Sequence, residues 1–108
     1  MKKKPAPVKQ KYPPLPRHID APGGRVRVRM AQKIVNNGVD CWGLWEESTR
    51  TISLSSEAPP RHQWKVFYHE AAHVAITDAG LDDVLDDKTH EALCNAFASA
   101  RMRERFGA

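Results

Sequence analysis

Polar and apolar residues alternate strictly from Arg25 to Met30. This period of two is typical of a strand with one buried face, so we expect the arginines to face water and the valines to face the core. The turn signal Asn36-Asn37-Gly38 precedes an apolar run at residues 39–45, which predicts a second strand, and residues 51–55 predict a third. These segments predict a small antiparallel sheet of about three strands, in which the last two strands form a hairpin.

A helical period follows the predicted sheet. Pro59-Pro60 favours a helix start because proline is tolerated in the first turn, and Gly80 is typical of a helix end. The predicted helix spans residues 60–79. Its buried stripe consists of apolar residues at three- and four-residue spacing: Trp64, Phe67, Ala71, Val74 and Ala75.

A second helix is predicted at residues 89–106, after the acidic linker at residues 81–88. Carboxylates lie near its start and arginines near its end, which is the arrangement that the helix dipole favours. Strands followed by two helices indicate an α+β fold in which a small sheet packs on both helices.

The first 22 residues are basic and contain six of the eight prolines. We therefore divide the chain into a flexible arm, residues 1–22, and one compact domain, residues 23–108. Residues 1–30 carry a formal charge of +8, whereas residues 31–108 carry −4. The basic arm predicts either a solubilising role or weak contact with nucleic acid and other acidic surfaces.

Cys41 and Cys94 are the only cysteines, and neither belongs to a C-x-x-C pair. We expect free, partly buried thiols. The lysines near the N-terminus are not followed by the apolar segment of a signal peptide, and no stretch is long and apolar enough to span a bilayer. These features predict a soluble, cytoplasmic protein without membrane contact.

The first predicted helix contains the sequence His69-Glu70-Ala71-Ala72-His73. Residues four apart share one face of a helix, so the imidazoles of His69 and His73 can bind a single cation. Glu70 lies beside them, where its carboxylate can take a proton from a water at the metal. This H-E-x-x-H pattern predicts a zinc (Zn²⁺) site, in preference to two histidines that merely face solvent.

A hydrolytic zinc site takes a third protein ligand and leaves one position for water. Glu91, in the first turn of the second predicted helix, is the preferred third ligand, and Asn95 is placed one turn later to hydrogen-bond a ligand histidine. His90 and Cys94 are alternative third ligands. The remaining alternatives are carboxylates in and around the linker: Asp78, Asp82, Asp83, Asp86 and Asp87.

The two helices together carry a family resemblance. His69-Glu70-x-x-His73 followed by Glu91-x-x-Cys94-Asn95-Ala96-Phe97-Ala98 resembles the gluzincin arrangement. It is most similar to the small ImmA/IrrE-type metallopeptidase domains, which phages and mobile elements often encode. The resemblance covers roughly residues 39–102 and implies a minimal zincin-like domain in which a hairpin leads to the active-site helix.

The chain also departs from that family pattern. Cys94 stands where alanine or serine is usual, and Asn95 stands where thermolysin-like enzymes have an aspartate. No Met-Pro pair follows the second helix. These differences bear on the subfamily and the substrate more than on the metal.

The resemblance implies a zinc-dependent endopeptidase that acts on a protein or peptide substrate. Glu70 would take a proton from the zinc-bound water and return it to the leaving amine. His90 is the preferred group to steady the oxyanion, with Tyr68 and His62 as alternatives. An extended substrate would add to an edge strand at residues 51–55 through main-chain hydrogen bonds.

Two other functions compete with this prediction. In one, zinc is structural and the chain is a non-catalytic module that binds a protein partner or nucleic acid through its basic arm. In the other, the protein holds no metal. The three tryptophans, Trp42, Trp45 and Trp64, are expected mainly in the core, with an apolar substrate pocket as the alternative.

Overall fold

The computed structural model describes residues 12–107, and the predictions about residues 1–11 lie outside this part of the chain. Within it, six strands are followed by two helices. The strands are β1 (His18–Ala21), β2 (Gly24–Ala31), β3 (Ile34–Asn36), β4 (Val39–Cys41), β5 (Gly43–Glu46) and β6 (Thr51–Ser55), and the helices are α1 (Pro60–Asp78) and α2 (Asp87–Phe106). The α+β class predicted from the sequence is confirmed.

The larger sheet is mixed. Its strand order is β1-β2-β6-β5, and β3 and β4 form a separate antiparallel pair. β1–β2 and β5–β6 are antiparallel, whereas β2 and β6 are parallel. The β5–β6 hairpin is confirmed, but the purely antiparallel sheet of about three strands is wrong, because the connection from β2 to β6 is long enough to hold three further strands and to return β6 parallel to β2.

β6 is an inner strand, and all five of its residues are buried. The prediction that residues 51–55 offer an edge to a substrate is therefore wrong, and the free edges of the larger sheet belong to β1 and β5. The predicted second strand, residues 39–45, is interrupted at Trp42, where the chain leaves the β3–β4 pair and enters the larger sheet.

The fold begins inside the segment that the sequence assigns to an arm. β1 pairs with β2 over four positions. Ahead of β1, the indole Nε1 of Trp64 donates a hydrogen bond of 2.7 Å to the main-chain oxygen of Pro13, and the ring of Tyr12 meets that of Phe106 edge-on at 4.9 Å between centroids. The boundary predicted at residue 22 is therefore too late, because a strand and its approach lie before it.

The main core lies between the larger sheet and the two helices. Trp64 is only 3% exposed and is a core residue, as predicted, whereas Trp42 is 49% exposed. Trp45 is half-buried, and its Nε1 donates a hydrogen bond of 3.2 Å to Thr77 Oγ1. Strands and helices contribute the following buried side chains to this core: Val26, Val28, Ile52, Leu54, Trp64, Phe67, Tyr68, Val74, Ala98 and Met102.

The helix ends agree closely with the sequence pattern. α1 ends at Asp78, one residue before the predicted end. α2 begins at Asp87, two residues before the predicted start, because the side chain of Asp86 accepts a hydrogen bond of 2.7 Å from the main-chain N–H of Thr89 and caps the helix. Neither of these two helices of the described chain has the length and apolar character needed to cross a membrane.

The side chain of Asp78 joins three parts of the fold. Its two oxygens each accept a hydrogen bond of 2.8 Å from the guanidinium of Arg50, and one oxygen also accepts a bond of 2.9 Å from the main-chain N–H of Gly23. A Cβ at Gly23 would lie 2.5 Å from the carboxylate, so this close approach requires glycine. The hydrogen bonds from Arg50 lower the pKa of Asp78 to about 2.

Candidate metal centre

Helix α1 presents His69 and His73 one turn apart on the same face. Their Nε2 atoms lie 3.1 Å apart, and both side chains are largely buried, with exposed fractions of 17% and 20%. Because the helix fixes the separation of the two rings, both nitrogens point into the same small volume.

The first turn of α2 brings Glu91 to these nitrogens. Glu91 Oε1 lies 2.8 Å from His69 Nε2, and Oε2 lies 3.4 Å from His73 Nε2. Ligand atoms at about 2.0 to 2.2 Å from a tetrahedral zinc ion are separated by about 3.3 Å. The three groups that the sequence predicts as metal ligands therefore lie together, with contacts of 2.8 to 3.4 Å that fall within about half an ångström of this separation.

Glu70 lies beside this group and is buried, with 8% of its surface exposed. Its carboxylate and the ligand nitrogens of His69 and His73 all lie within 4.8 Å of one another. Burial, and then the charge of Glu91, raise the pKa of Glu70 to about 7, against the opposing effect of a main-chain hydrogen bond from Trp45. A carboxyl group with this pKa can both accept and return a proton near neutral pH.

Gly43 allows strand β5 to lie against helix α1. A Cβ at this position would lie 2.5 Å from Val66 Cγ1 and 3.3 Å from Glu70 Cγ. Only glycine permits so close an approach of the strand to Glu70. No sequence pattern reveals this contact, because the lack of a side chain does not show which neighbour occupies the space.

His90 lies behind His73, on the side away from Glu91. His90 Nε2 is 2.8 Å from His73 Nδ1, and His90 Nδ1 is 3.8 Å from Asp82 Oδ1. Burial, and then the neighbouring His69, lower the pKa of His73 in this metal-free arrangement. The side chain at hydrogen-bond distance from His73 is therefore that of His90, which the sequence predicts at the oxyanion, whereas Asn95 lines the cavity.

A cavity of about 420 Å³ opens beside the ligand group, and His69, Glu70, Glu91 and Asn95 line one part of it. His62 lines another part, and its ring meets the exposed ring of Trp42 edge-on at 5.2 Å between centroids. The buried Nε2 atom of His62 has no hydrogen-bond partner among the described residues. Burial, followed by the charges of Lys65 and Arg61, lowers the pKa of His62.

Several residues that the sequence offers as alternative ligands or oxyanion groups make contacts elsewhere in the fold. Asp78 is engaged by Arg50, and Asp86 caps α2. Tyr68 is buried in the core, where its hydroxyl accepts a hydrogen bond of 3.2 Å from Arg105. These three residues therefore lie in structural contacts rather than at the metal ligands.

The two thiols are free, as predicted. Cys94 is fully buried, and its sulfur lies within 4.8 Å of ring nitrogens of His73 and His90, so these three form a second group that could hold a metal ion. Burial raises the pKa of the Cys94 thiol to about 12. Cys41 is half-buried and lines the cavity.

Comparisons with protein-family models, with characterised proteins and with solved structures found no match to this chain. The geometry of the site therefore carries the functional argument. That geometry is a group of His69, Glu70 and His73 that could bind a metal ion, with the carboxylate of Glu91 in contact with both histidines.

Proposed function

We propose that this protein is a zinc-dependent metallopeptidase of the gluzincin type, similar to the ImmA/IrrE-type domains, that hydrolyses peptide bonds in a protein substrate. One observation carries the proposal: Glu91 reaches both ligand nitrogens of the H-E-x-x-H helix, while Glu70 stays buried beside them. This combination leaves a carboxylate at the site that is not needed as a ligand and is available for proton transfer.

A zinc ion held by His69, His73 and Glu91 would make water more acidic and polarise a carbonyl group. Glu70 then takes one proton from the attacking water as its oxygen forms a bond to the carbonyl carbon. When the carbon–nitrogen bond breaks, Glu70 returns that proton to the leaving amine, so the carboxylate is regenerated.

The geometry favours β5 as the strand that binds an extended substrate, in place of residues 51–55. The main-chain oxygen of Trp42, just before β5, accepts a hydrogen bond of 2.8 Å from Ser55. Main-chain groups alternate in direction along a strand, so those of Gly43 point away from β6 and toward the free edge. A peptide at this edge would lie next to Glu70, whose carboxylate already accepts a hydrogen bond from the Trp45 N–H, and such pairing recognises the main chain more than the side chains.

Among the three residues considered for the oxyanion, His62 is the one that lines the cavity. Its buried Nε2 has no hydrogen-bond partner among the described residues, whereas buried polar atoms in proteins normally have one. A substrate oxygen in the cavity would supply that partner. We assign His62 a substrate contact, and we assign no oxyanion role to His90 or Tyr68.

Hydrolysis and zinc content measured together test the proposal. The zinc-loaded protein is incubated with a proteome-derived peptide library, and new termini are read by mass spectrometry. We expect Glu70→Gln to keep its zinc and to lose cleavage by about a hundred- to ten-thousandfold, as for removal of a general base. Glu104→Gln, an exposed change near the end of α2, serves as the matched control and should cleave normally.

Equal cleavage by wild type and Glu70→Gln would contradict the mechanism. Zinc binding without cleavage of any peptide by the wild type would instead favour a non-catalytic, zinc-stabilised module. That alternative has some support in the exposed arginines of β2, Arg25, Arg27 and Arg29, which offer positive charge to an acidic partner.

A further inference from the structure

Two side chains behind the ligand group have no role in the peptidase mechanism. His90, in the first turn of α2, contacts His73 Nδ1 at 2.8 Å, and Asp82, in the connection between the helices, lies 3.8 Å from His90 Nδ1. His90 is largely buried, with 17% of its side chain exposed, whereas Asp82 is 42% exposed. The three side chains form a line that runs from solvent to the far side of the ligand histidine.

Only one placement of the N–H hydrogens on His73 and His90 is compatible with metal binding at His73 Nε2. A neutral imidazole has a single N–H, so a His73 ring that offers the lone pair of Nε2 to a metal must carry its hydrogen on Nδ1. That Nδ1–H then donates to His90 Nε2, which must be unprotonated to accept it. His90 in turn carries its hydrogen on Nδ1, which faces the Asp82 carboxylate.

We propose that His90 and Asp82 are positioning residues that hold His73 as its Nδ1–H tautomer, with the Nε2 lone pair directed at the metal. This inference rests on the proposed metal site and adds two residues to it. Hydrogen-bond partners of ligand histidines commonly set ring orientation and tautomer in this way. In this chain a histidine does so, and a carboxylate orients that histidine from the solvent side.

A competing arrangement would use the same atoms to bind metal directly. His73, His90 and Cys94 also form a group that could hold an ion. The geometry favours the positioning role for two reasons. The facing nitrogens of His73 and His90 already form a hydrogen bond, and Cys94 is fully buried, whereas the cavity beside the site is lined by His69 and Glu91.

Histidine tautomers can be read without metal or activity. In long-range ¹H–¹⁵N spectra of the metal-free protein at about pH 8, where histidines are mostly neutral, we expect both His73 and His90 as Nδ1–H tautomers. Asp82→Ala should convert His90 to a mixture of tautomers, while Asp83→Ala, at the exposed neighbouring carboxylate, should leave the spectrum unchanged. An Nε2–H tautomer at His73 in the wild type, or no response of His90 to Asp82→Ala, would overturn the proposal.

Zinc affinity supplies the second readout. We expect His90→Ala to weaken zinc binding by about 10- to 100-fold, the usual effect of losing a hydrogen-bond partner of a ligand. His90→Gln should recover part of the loss, because its amide oxygen can accept the same hydrogen bond. If both variants bind zinc as tightly as wild type, His90 has no positioning role, whether or not the wild type hydrolyses peptides.

Cobalt substitution separates the competing arrangement from the proposed one. Cobalt in the wild type should show no thiolate charge-transfer absorption, because the ligands are two imidazoles and a carboxylate. Strong absorption of this kind that disappears in Cys94→Ser would place the metal on His73, His90 and Cys94 and overturn the positioning role. Zinc binding with the expected tautomers but without peptide cleavage would contradict the peptidase proposal alone.

Discussion

The burial of Glu70 predicts that this side chain destabilises the metal-free protein at alkaline pH. Burial and the nearby Glu91 raise the pKa of Glu70 from 4.5 to about 7 in the folded chain. The folded state therefore binds the proton more tightly than the unfolded state, and stability falls as pH rises between these two values. Glu70→Gln removes the ionisable group while keeping an oxygen that can accept the hydrogen bond from Trp45.

The difference between the two pKa values sets the size of the effect. A rise from 4.5 to about 7 corresponds to about 3 kcal/mol of unfolding free energy, lost once the carboxyl group ionises. Glu70→Gln should therefore be more stable than wild type by up to about 3 kcal/mol at about pH 8, and the gain should shrink toward about pH 5. For a domain of this size, such a difference is a large part of the total stability.

Urea unfolding in the presence of a chelator, followed by tryptophan fluorescence, to which the buried Trp64 contributes, measures this difference. Comparing the two proteins at each pH removes the contribution of the other titrating groups, including the histidines. Glu46→Gln, at an exposed position, controls for the loss of one carboxylate and should change stability little. A Glu70→Gln protein that is less stable than wild type at about pH 8, or a stability difference that does not vary with pH, would show that burial does not raise the pKa of Glu70.

Two further predictions concern the contacts that place the site. Asp78→Asn should destabilise the protein by about 2 kcal/mol, because it weakens the hydrogen bonds from Arg50. Since Asp78 has a pKa of about 2 against an ordinary 3.8, its stabilising effect should be present above about pH 4 and should fade as pH falls toward 2; urea midpoints that match wild type would contradict this. Gly43→Ala should destabilise by about 1 to 3 kcal/mol and reduce cleavage, because its Cβ would lie 2.5 Å from the branched side chain of Val66. Unchanged thermal unfolding of this variant would show that β5 can move away from α1 freely.

The proximity of His69, His73 and Glu91 was predictable because it follows from helix geometry. His69 and His73 lie four apart in an amphipathic helix, and Glu91 opens the next helix, so each prediction needed only the helix period and the spacing. The role of His90 was not predictable in this way. Whether its ring faces the cavity or His73 Nδ1 depends on how α1 and α2 pack against each other. The sequence around His90 does not specify that packing.

In the sheet, too, a strand with a local sequence pattern was predictable, whereas the pairing of distant strands was not. The alternation from Arg25 to Met30 correctly predicts strand β2 with Val26 and Val28 inward. The parallel pairing of β2 with β6 joins segments more than twenty residues apart, for example Arg27 with Thr51, and no local pattern specifies it. The prolines near the start favoured an arm over a strand, yet β1 completes the sheet edge beside β2.

Zinc stoichiometry tests the central claim most directly. Purified wild type, His73→Ala and Glu91→Ala are dialysed against buffered zinc, and metal and protein are quantified in each sample. We predict one zinc per wild-type chain and loss of stoichiometric zinc in both variants, with His18→Ala, an exposed histidine on β1, retaining it. Full zinc occupancy in Glu91→Ala would contradict the ligand set proposed here, and an absence of zinc from the wild type would contradict the metal site itself.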